Sequence, residues 1–422
     1  MNYTESLEYI KSVGWLGSRP GLGRITELCR LLGDPQKELR FIHVAGPNGK
    51  GSFCAMTASI LRAAGYRVGL YVSPCITRFN DRMSVNGEPV GDELLAELVT
   101  LVREKSESMD EPATEFELIT AAAFEYFRRE KCDVVVLEVG MGGRMDATNI
   151  IEDPVLSVIT GIALDHTAFL GDTVEKVAAE KAGIIKRGCP VHWGGKDEAA
   201  RAVIQAKARE MGSEFGEVGY EKLENIRPSL EGSYFDYDGL CDLHIGLLGM
   251  YQPENAASVV AAVRRLGDRG FEISEDALRR GLSDTRWPAR FERLSTDPTI
   301  IYDGSHNPQG MAAAVRSIRE IFGGEKVNIL TGVLGDKDYR DMVEMLSTVC
   351  RKAFTVTPDN SRALSAESYA EVFRACGVPA EALGSIPDGV AAARREAEKT
   401  GVPLVILGTL YMYSDIRAAL GI

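Results

Sequence analysis

The chain has 422 residues, more than one hydrophobic core of up to ~250 residues usually covers, so two domains are expected. Its 45% apolar and 26% charged residues are typical of a globular protein and exclude a chain dominated by disorder. The formal net charge of −13, without a dense Lys/Arg run, argues against a nucleic-acid partner, because phosphate neutralisation needs a basic face.

Cysteine usage and the N-terminal segment both favour the cytoplasm. The eight cysteines form no CxxC pair and no zinc-ligand or disulfide spacing, which fits a reducing compartment. The N-terminus, MNYTESLEYIKSVG, is amphipathic and partly acidic, unlike a signal peptide. No apolar stretch approaches the ~18 residues that a membrane span needs. We therefore expect a cytoplasmic protein without a membrane partner.

From residue 40 onwards, short β-branched runs alternate with helical patterns. Fully apolar runs of this length, separated by helices, indicate parallel strands that are covered on both faces. They predict an α/β domain with a doubly wound, mostly parallel sheet, to which residues 212–247 add a small antiparallel part. The runs are RFIHVAG, YRVGLYVS, CDVVVLEVG, VLSVITGI and CPVHWGG.

A second series of strands and helices begins after the segment TRWPARFE. It predicts a smaller, Rossmann-like α/β domain at the C-terminal end of the chain. We place the boundary near Pro288, which gives domains at residues 1–287 and 288–422. The runs of this series are TIIYDGSHNP, KVNILTGVLGD, RKAFTVTPD and VPLVILGTLY.

The segment from Gly46 to Ser52 joins a predicted strand to a predicted helix and has the parts of a phosphate-binding loop. Glycines let backbone N–H groups approach phosphate oxygens, Lys50 adds a point charge, and Ser52 can meet Mg²⁺ or phosphate at the helix N-terminus. The strict Walker pattern fails because Gly51 stands between Lys50 and Ser52, and an ordinary strand-to-helix turn is the alternative. The predicted nucleotide-binding residues here are Asn48, Gly49, Lys50, Gly51 and Ser52.

Oxygen-bearing side chains follow three of the predicted strands. Ser73 and Glu138 stand at strand ends, and Asp165 and His166 come just past a third strand. The carboxyl ends of parallel strands meet at one edge of a sheet, where α/β proteins bind ligands. Hydroxyl and carboxylate oxygens suit Mg²⁺ better than zinc. The pattern therefore predicts a magnesium site at this edge.

Lys181 lies on the apolar stripe of a predicted helix that a cap at Asp172 opens, with Glu175 three residues on. Buried lysines are costly unless they are paired or modified, so the position is unusual. A stem that carries the charge out to solvent is the alternative. The residues that share the stripe are Val174, Val177, Ala178, Lys181 and Ile185.

Polar residues also mark a helix start and a strand end in the second half of the chain. Gln252 and Asn255 lie at the beginning of a helix, where capping explains them nearly as well as ligand binding does. A buried strand then ends in four polar groups, which is more than a turn requires. These four are Asp303, Ser305, His306 and Asn307.

In this order and over nearly the whole chain, the motifs resemble those of the folylpolyglutamate synthase/dihydrofolate synthase family of Mur-type ligases. IHVAGPNGKGS is similar to the family's phosphate loop, EKAG to its Glu-Lys-Ala-Gly motif, and DGSHNP to its Asp-Gly-Ala-His-Asn-Pro motif, from which Ser305 departs. The resemblance implies a P-loop domain of the Mur central type, carrying the folate site, and a C-terminal glutamate ligase domain. It also implies ATP-dependent addition of L-glutamate to a folylglutamate, to dihydropteroate, or to both.

The resemblance implies roles for individual residues as well. Lys181 matches a lysine that CO₂ converts to a carbamate, and Arg290, in RWPARFE, matches a phosphate-binding arginine. The residues implied in catalysis are Lys50, Lys181, Arg290 and His306. Those implied to meet the nucleotide outside the loop are Gln252, Asn255, Arg290 and Asp303. The magnesium ligands are Ser73, Glu138 and His166, with Ser52 beside them. Substrate binding falls to Cys75, Arg78, Arg82, Asp165, Ser305 and His306.

Two residues depart from the family pattern at positions that face ligands. Pro47 replaces a threonine and has no N–H, so one possible phosphate donor is absent. Cys75 replaces a histidine near the pterin side, and a thiol supplies neither the charge nor the stacking face of imidazole. Arg78 and Arg82 are candidates for holding an acidic acceptor, although solvated surface charge would explain them equally well.

Two other functions remain open. The first is a Mur-type ligase that adds an amino acid to a carboxylate other than a folate. The second is an ATP-binding switch without ligation, which leaves Lys181 and the polar group at 303–307 unexplained. In the favoured interpretation the partners are ATP, Mg²⁺, L-glutamate and a folate or dihydropteroate, and the resemblance implies a monomer.

Overall fold

The chain forms two compact α/β units in the computed structural model. The described residues are 1–14, 21–163 and 171–422. The first unit comprises residues 1–220 and 255–284, and the second comprises residues 221–254 and 285–422.

An eight-stranded sheet forms the middle of the first unit. Its strands are β1 (Phe41–Ala45), β2 (Val68–Tyr71), β3 (Met83–Val85), β4 (Glu88–Pro89), β5 (Val134–Glu138), β6 (Leu156–Ile159), β7 (Val191–Trp193) and β8 (Phe215–Glu217). Their order is β4-β3-β2-β5-β1-β6-β7-β8, and every pair is parallel except those that β3 forms. The predicted doubly wound, mostly parallel sheet is confirmed. β1 and β5 are buried along their whole length, as their unbroken apolar runs require.

Helices cover this sheet and complete the first unit. They are α1 (Tyr3–Val13), α2 (Gly23–Leu31), α3 (Lys50–Ala63), α4 (Asp92–Glu107), α5 (Glu115–Arg129), α6 (Val174–Ala182), α7 (Glu198–Glu210), α8 (Gln252–Arg264, from Asn255 on) and α9 (Glu275–Asp284). Phe41 of β1 packs edge to face on Phe124 of α5, with 5.5 Å between ring centroids. Asn2 and Thr114 cap α1 and α5 with complete capping boxes, which explains where these helices begin.

The second unit contains a six-stranded sheet and a separate three-stranded one. The antiparallel three-stranded sheet consists of β9 (Leu223–Ser229), β10 (Gly232–Tyr237) and β11 (Leu240–Ile245). The larger sheet has the strands β12 (Glu292–Thr296), β13 (Thr299–Asp303), β14 (Val327–Thr331), β15 (Cys350–Thr355), β16 (Ala380–Ala382) and β17 (Leu404–Leu407). Their order is β12-β13-β17-β14-β15-β16, with only β12 antiparallel to its neighbour. The predicted smaller α/β domain is thus confirmed as a fold.

Five helices pack on the larger sheet of the second unit. They are α10 (Pro308–Ile321), α11 (Tyr339–Ser347), α12 (Ala366–Ala375), α13 (Ile386–Thr400) and α14 (Tyr413–Leu420). Pro308 occupies the first turn of α10, and Asn307 caps that helix by accepting the Gly310 N–H. Among the described residues, no helix is both long enough and apolar enough to cross a membrane.

The three-stranded sheet differs from the predicted domain division, which placed residues 221–254 with the first domain. In the structure this segment belongs to the second unit. Leu230 packs against a core that contains Leu248 and Phe291, and the Met250 N–H donates to Ser317 Oγ at 2.9 Å. Alternating apolar and polar residues predict an antiparallel sheet. They do not indicate whether that sheet packs against the hydrophobic core of the first or of the second unit.

Helix α9 lies against α3 at a distance that only glycine allows at position 281. A Cβ atom at Gly281 would lie 2.4 Å from Ile60 Cα and 2.7 Å from Ile60 N. Alanine is favoured over glycine in a helix by about 1 kcal/mol. The Ile60 backbone atoms cannot move away easily, so the steric clash should destabilise the fold by about 1–3 kcal/mol, which outweighs this gain. We expect Gly281→Ala to lower the urea-unfolding midpoint of the protein.

Gly267→Ala is the matched control for this prediction. No heavy atom outside the local chain lies within 4 Å of a Cβ at Gly267, and its φ is not positive. The control should change the free energy of unfolding by less than about 0.5 kcal/mol. Equal effects of the two substitutions would contradict close packing at Gly281.

Two buried histidines make the stability of the first unit depend on pH. Burial lowers the pKa of both His43 and His192 to about 3, with smaller contributions from Lys186 and Arg265 respectively. An unfolded histidine titrates near ~6.5. Between these values the unfolded chain binds more protons than the folded chain does. The stabilising contribution of the two neutral histidines is therefore fully present above pH ~6.5 and is lost as the pH falls towards 3.

His192→Gln should therefore reduce the acid sensitivity of the protein. Each histidine contributes a slope of up to about 1.4 kcal/mol per pH unit, and the substitution removes one such contribution. Urea-unfolding midpoints at pH 7.5, 6.0 and 5.0 would show a shallower dependence for the variant. From pH 7.5 to 8.5 the two proteins should behave alike, since His192 is neutral in both the folded and the unfolded state. Identical slopes below pH 6.5 would contradict the prediction.

Candidate active site

The predicted phosphate loop lies between β1 and α3, and glycine geometry shapes it. Gly46 has φ +153° and Gly49 has φ +79°, conformations that side chains rarely adopt. A Cβ at Gly46 would lie 2.0 Å from Thr160 Oγ1, which donates a hydrogen bond of 2.9 Å to Asn48 O. Thr160, the residue after β6, thus stabilises the conformation of the loop.

Lys50 and Ser52 occupy the first turn of α3. Lys50 Nζ donates to Gly46 O at 3.0 Å and lies 3.7 Å from Glu138 Oε1. Ser52 is buried in the same turn. The lysine ammonium and the N-terminal end of α3 therefore place positive charge at the mouth of the loop, which is what a polyphosphate requires.

Glu138 and Ser73 follow the neighbouring strands β5 and β2 at the same sheet edge. The Glu138 side chain is only 4% exposed, and its Oε2 accepts the Ser73 N–H at 3.1 Å. Glu138 also pairs in register with Val44 of β1, directly before the loop. A buried carboxylate at this sheet edge, with Ser73 and Ser52 as the hydroxyl residues that the sequence supplies, suits Mg²⁺, which takes one or two protein carboxylates and completes its ligands with water and phosphate oxygens.

Lys181 is buried in α6, as the apolar stripe predicted, with 4% of its surface exposed. The glycine loop after β5 packs directly on it, since a Cβ at Gly143 would lie 3.0 Å from Lys181 Cα. The predicted cap is wrong: Thr173 caps the helix, and Asp172 instead pairs with Lys176 at 2.7 Å. Both residues are good caps, so the sequence could not choose between adjacent positions.

Asp303 is the centre of the polar group at the end of β13. It is 1% exposed and accepts hydrogen bonds from the backbone N–H groups of Phe291 and Ser305 at 2.8 and 3.0 Å. The hydroxyls of Tyr251 and Ser305 donate to it as well. Burial, and secondly the Asp303 charge, raise the pKa of Tyr251, so this phenol stays a donor. The carboxylate therefore organises the surrounding backbone.

Arg290 is presented by a strained backbone in the second unit. Its neighbours Ala289 and Phe291 have φ of +59° and +48°, which are uncommon for residues with side chains. The strain is held in place because Ala289 O accepts the Gly304 N–H at 2.9 Å and Asp303 accepts the Phe291 N–H. Glycine adopts a positive φ without strain, so Ala289 occupies a position at which glycine would be less strained.

His306 has a defined orientation beside this arginine segment. Its Nδ1 lies 2.9 Å from Gly304 O. A carbonyl oxygen only accepts, so Nδ1 carries the proton and Nε2 is the nitrogen that can exchange one. Ser305, next to it, is tied to Asp303 through both its N–H and its hydroxyl.

Comparison with known proteins places this arrangement in a family. The Mur ligase middle domain matches residues 44–263, and the glutamate ligase domain of Mur ligases matches residues 289–408. The folylpolyglutamate synthase of Lacticaseibacillus casei is 37% identical over 434 residues, which cover 100% of this chain and 99% of that protein. The chain belongs to the folylpolyglutamate synthase/dihydrofolate synthase family.

Further relatives agree with this family membership. The dihydrofolate synthase/folylpolyglutamate synthase of Bacillus subtilis (strain 168) is 36% identical, with 99% of each chain covered. Crystal structures of Mycobacterium tuberculosis folylpolyglutamate synthase complexed with ADP and AMPPCP superimpose with a TM-score of 0.89 at 28% identity, covering 100% of this chain and 99% of that one. Membership makes the chain an ATP-dependent ligase.

The structure of this family member separates the two residues predicted at the start of α8. Asn255 lies at the phosphate loop, because a Cβ at Gly49 would be 3.0 Å from Asn255 Oδ1. Gln252 is completely buried and belongs to the second unit. Asn255 is thus the one that the first unit holds beside the predicted phosphate site.

The residues predicted to bind the folate or dihydropteroate substrate differ in their surroundings. Cys75 is half-buried, and Arg78 is 58% exposed and donates to Asp92 at 2.7 and 3.0 Å. Arg82 lies over the Phe79 ring at 5.3 Å, and its buried Nε has no hydrogen-bond acceptor in the described part of the chain. The remaining predicted ligands, Asp165 and His166, lie outside the described residues.

The sequence did not single out a buried network that supports the glycine loop. Asp146 accepts from the Met141 N–H at 2.9 Å and from the Thr148 hydroxyl at 2.6 Å, and that hydroxyl meets His43 Nε2 at 2.8 Å. Burial raises the pKa of Asp146. Asn149 Nδ2 donates to the carbonyl oxygens of Arg144 and Gly183. The polar run DATN just after the loop was the available signal.

Proposed function

We propose that the chain joins L-glutamate to a folate with ATP, through an acyl phosphate. The acceptor is the γ-carboxyl of a folylglutamate, the carboxyl of dihydropteroate, or both. The observation that supports phosphoryl transfer is the pairing of Lys50 with Glu138. Lys50 belongs to the phosphate loop, and Glu138 also accepts the Ser73 N–H at the same edge of the sheet. Family membership supports glutamate as the amine and a folate as the acid.

The chemistry requires activation before the amide bond forms. Joining a carboxylate to an amine is uphill in water, so the acceptor carboxylate first takes the γ-phosphoryl group of ATP. Lys50 and Arg290 are proposed to stabilise the negative charge that spreads over the transferring group. Glu138, Ser73, Ser52 and His166 would hold Mg²⁺, which would supply positive charge against the phosphates. The glutamate amine then attacks the acyl carbon and expels phosphate.

The second unit is proposed to receive glutamate. His306, with Nδ1 fixed on Gly304 O, can take a proton at Nε2 and, once protonated there, donate to a carboxylate, and Ser305 lies next to it. Asp303 is proposed to act on ligands mainly through the segment that it holds, since its oxygens already accept several hydrogen bonds. We also retain as proposals a domain division near residue 288, nucleotide contact by Gln252 and Asn255, a monomeric state and a cytoplasmic location.

Phosphate release from ATP and Mg²⁺ tests this function. The assay contains L-glutamate with dihydropteroate, with tetrahydrofolate, or with neither, and the products are weighed by mass spectrometry. We expect release coupled to a gain of one glutamate on at least one pterin. Release that needs glutamate but neither pterin would favour another acceptor, and release that ignores glutamate would favour a switch. Cys75→His, tested in the same assay, shows whether the thiol restricts the acceptor.

A further inference from the structure

Arg82 is a partly buried cation, and one of its N–H donors has no acceptor among the described residues. It ends the short helical turn at residues 79–82 and lies over the Phe79 ring. Its Nε is shielded from solvent and makes no hydrogen bond to the described residues. An unmet donor of this kind is costly, and guanidinium groups in proteins are normally satisfied by a carboxylate or phosphate. A ligand that supplies such an acceptor would satisfy the Arg82 Nε–H.

The backbone places Arg82 at the predicted reaction edge. Its carbonyl accepts the Val72 N–H at 2.9 Å, and the next residue, Ser73, donates its N–H to Glu138. Arg78, in contrast, is engaged by Asp92 at the surface. Of the two arginines, Arg82 is the one that combines partial burial, a donor without an acceptor among residues 1–14, 21–163 and 171–422, and a backbone position beside the segment that leads to Ser73.

We propose that Arg82 binds the α-carboxylate of a folylglutamate acceptor. The inference rests on the proposed function. A folate with one glutamate carries two free carboxylates: the γ-carboxyl reacts, whereas the α-carboxylate stays anionic and lies only a short aliphatic link away. A guanidinium matches a carboxylate with two parallel hydrogen bonds, one of them from Nε. Dihydropteroate has no α-carboxylate. Arg82 should therefore contribute to glutamate addition to a folylglutamate and not to glutamate addition to dihydropteroate.

The test pairs a change in the enzyme with a change in the acceptor. Wild type and Arg82→Met are assayed for glutamate-dependent ADP formation with tetrahydrofolate and with its α-carboxamide. We expect the variant, and separately the carboxamide, each to lower kcat/KM for the acceptor by about 10- to 100-fold. Combining them should cost little more than either change alone, because both remove the same contact. Losses that multiply would overturn the proposal.

Two further arms keep the result interpretable. Arg82→Lys retains the charge but not the paired geometry, so it should recover only part of the loss and leave the KM for ATP unchanged. Arg103→Met is the matched control, since Arg103 also lies over a ring, that of Tyr9, but is satisfied by Glu107. It should leave kcat/KM unchanged. A wild type that makes ADP with dihydropteroate but not with tetrahydrofolate would overturn the role of Arg82 and leave the proposed function standing, whereas a wild type that makes none with either would refute the proposed function itself. A carboxamide effect abolished by Arg78→Met would assign the contact to Arg78.

Discussion

Replacing Lys50 with methionine will lower the rate of glutamate-dependent ADP formation by about 100- to 1000-fold. Lys50 Nζ lies 3.0 Å from Gly46 O and 3.7 Å from Glu138 Oε1, so its ammonium is held over the loop that is proposed to carry the phosphates. The variant keeps most of the stem volume and removes only the charge. Because that charge acts on the transferring group, kcat should fall more than nucleotide affinity does.

Lys37→Met is the control for Lys50→Met. Lys37 is 57% exposed in the same unit and pairs with Asp34, and it should lose neither activity nor stability beyond about 0.5 kcal/mol. ADP formation is followed with a coupled assay and nucleotide binding by calorimetry. Near-normal kcat in Lys50→Met would remove the lysine from the phosphoryl-transfer step.

The sequence predicted the fold where one physical signal dominated. Fully apolar runs specify strands buried on both faces, and β1 and β5 are buried along their whole length. Polar residues directly after such runs, Glu138 and Asp303, were recognised for the same reason: nothing in a buried strand end requires them unless they serve a site. The stripe in α6 likewise predicted that Lys181 would be buried.

Where several residues could serve equally well, the sequence left the choice open. Asp172 and Thr173 are both good caps, and the structure uses Thr173. Arg78 and Arg82 are chemically identical, and only their surroundings separate them: Arg78 donates to Asp92, whereas Arg82 Nε has no acceptor in the part of the chain that the structure describes. The side that residues 221–254 take depends on core contacts of Leu230, which local pattern does not encode.

Lys181→Ala should reduce kcat by about 100-fold, and the physical reason is the chemistry of a buried amine. Burial disfavours a charged ammonium, and a neutral amine can add CO₂ to form a carbamate and release a proton. Lys181 is 4% exposed, so a carbamate formed there would be shielded from solvent. We hypothesise that this anion orders the phosphate region.

Carbon-13 bicarbonate provides the measurement for Lys181. The wild-type protein, exchanged against labelled bicarbonate, should show one carbamate signal that Lys181→Ala abolishes, and millimolar acetate or formate should restore part of the activity of the variant. Lys176→Met is the control on the same helix, because Lys176 is 62% exposed and pairs with Asp172. It should keep both the signal and the rate. A variant that loses activity although wild type shows no carbamate would mean that Lys181 acts as an unmodified amine.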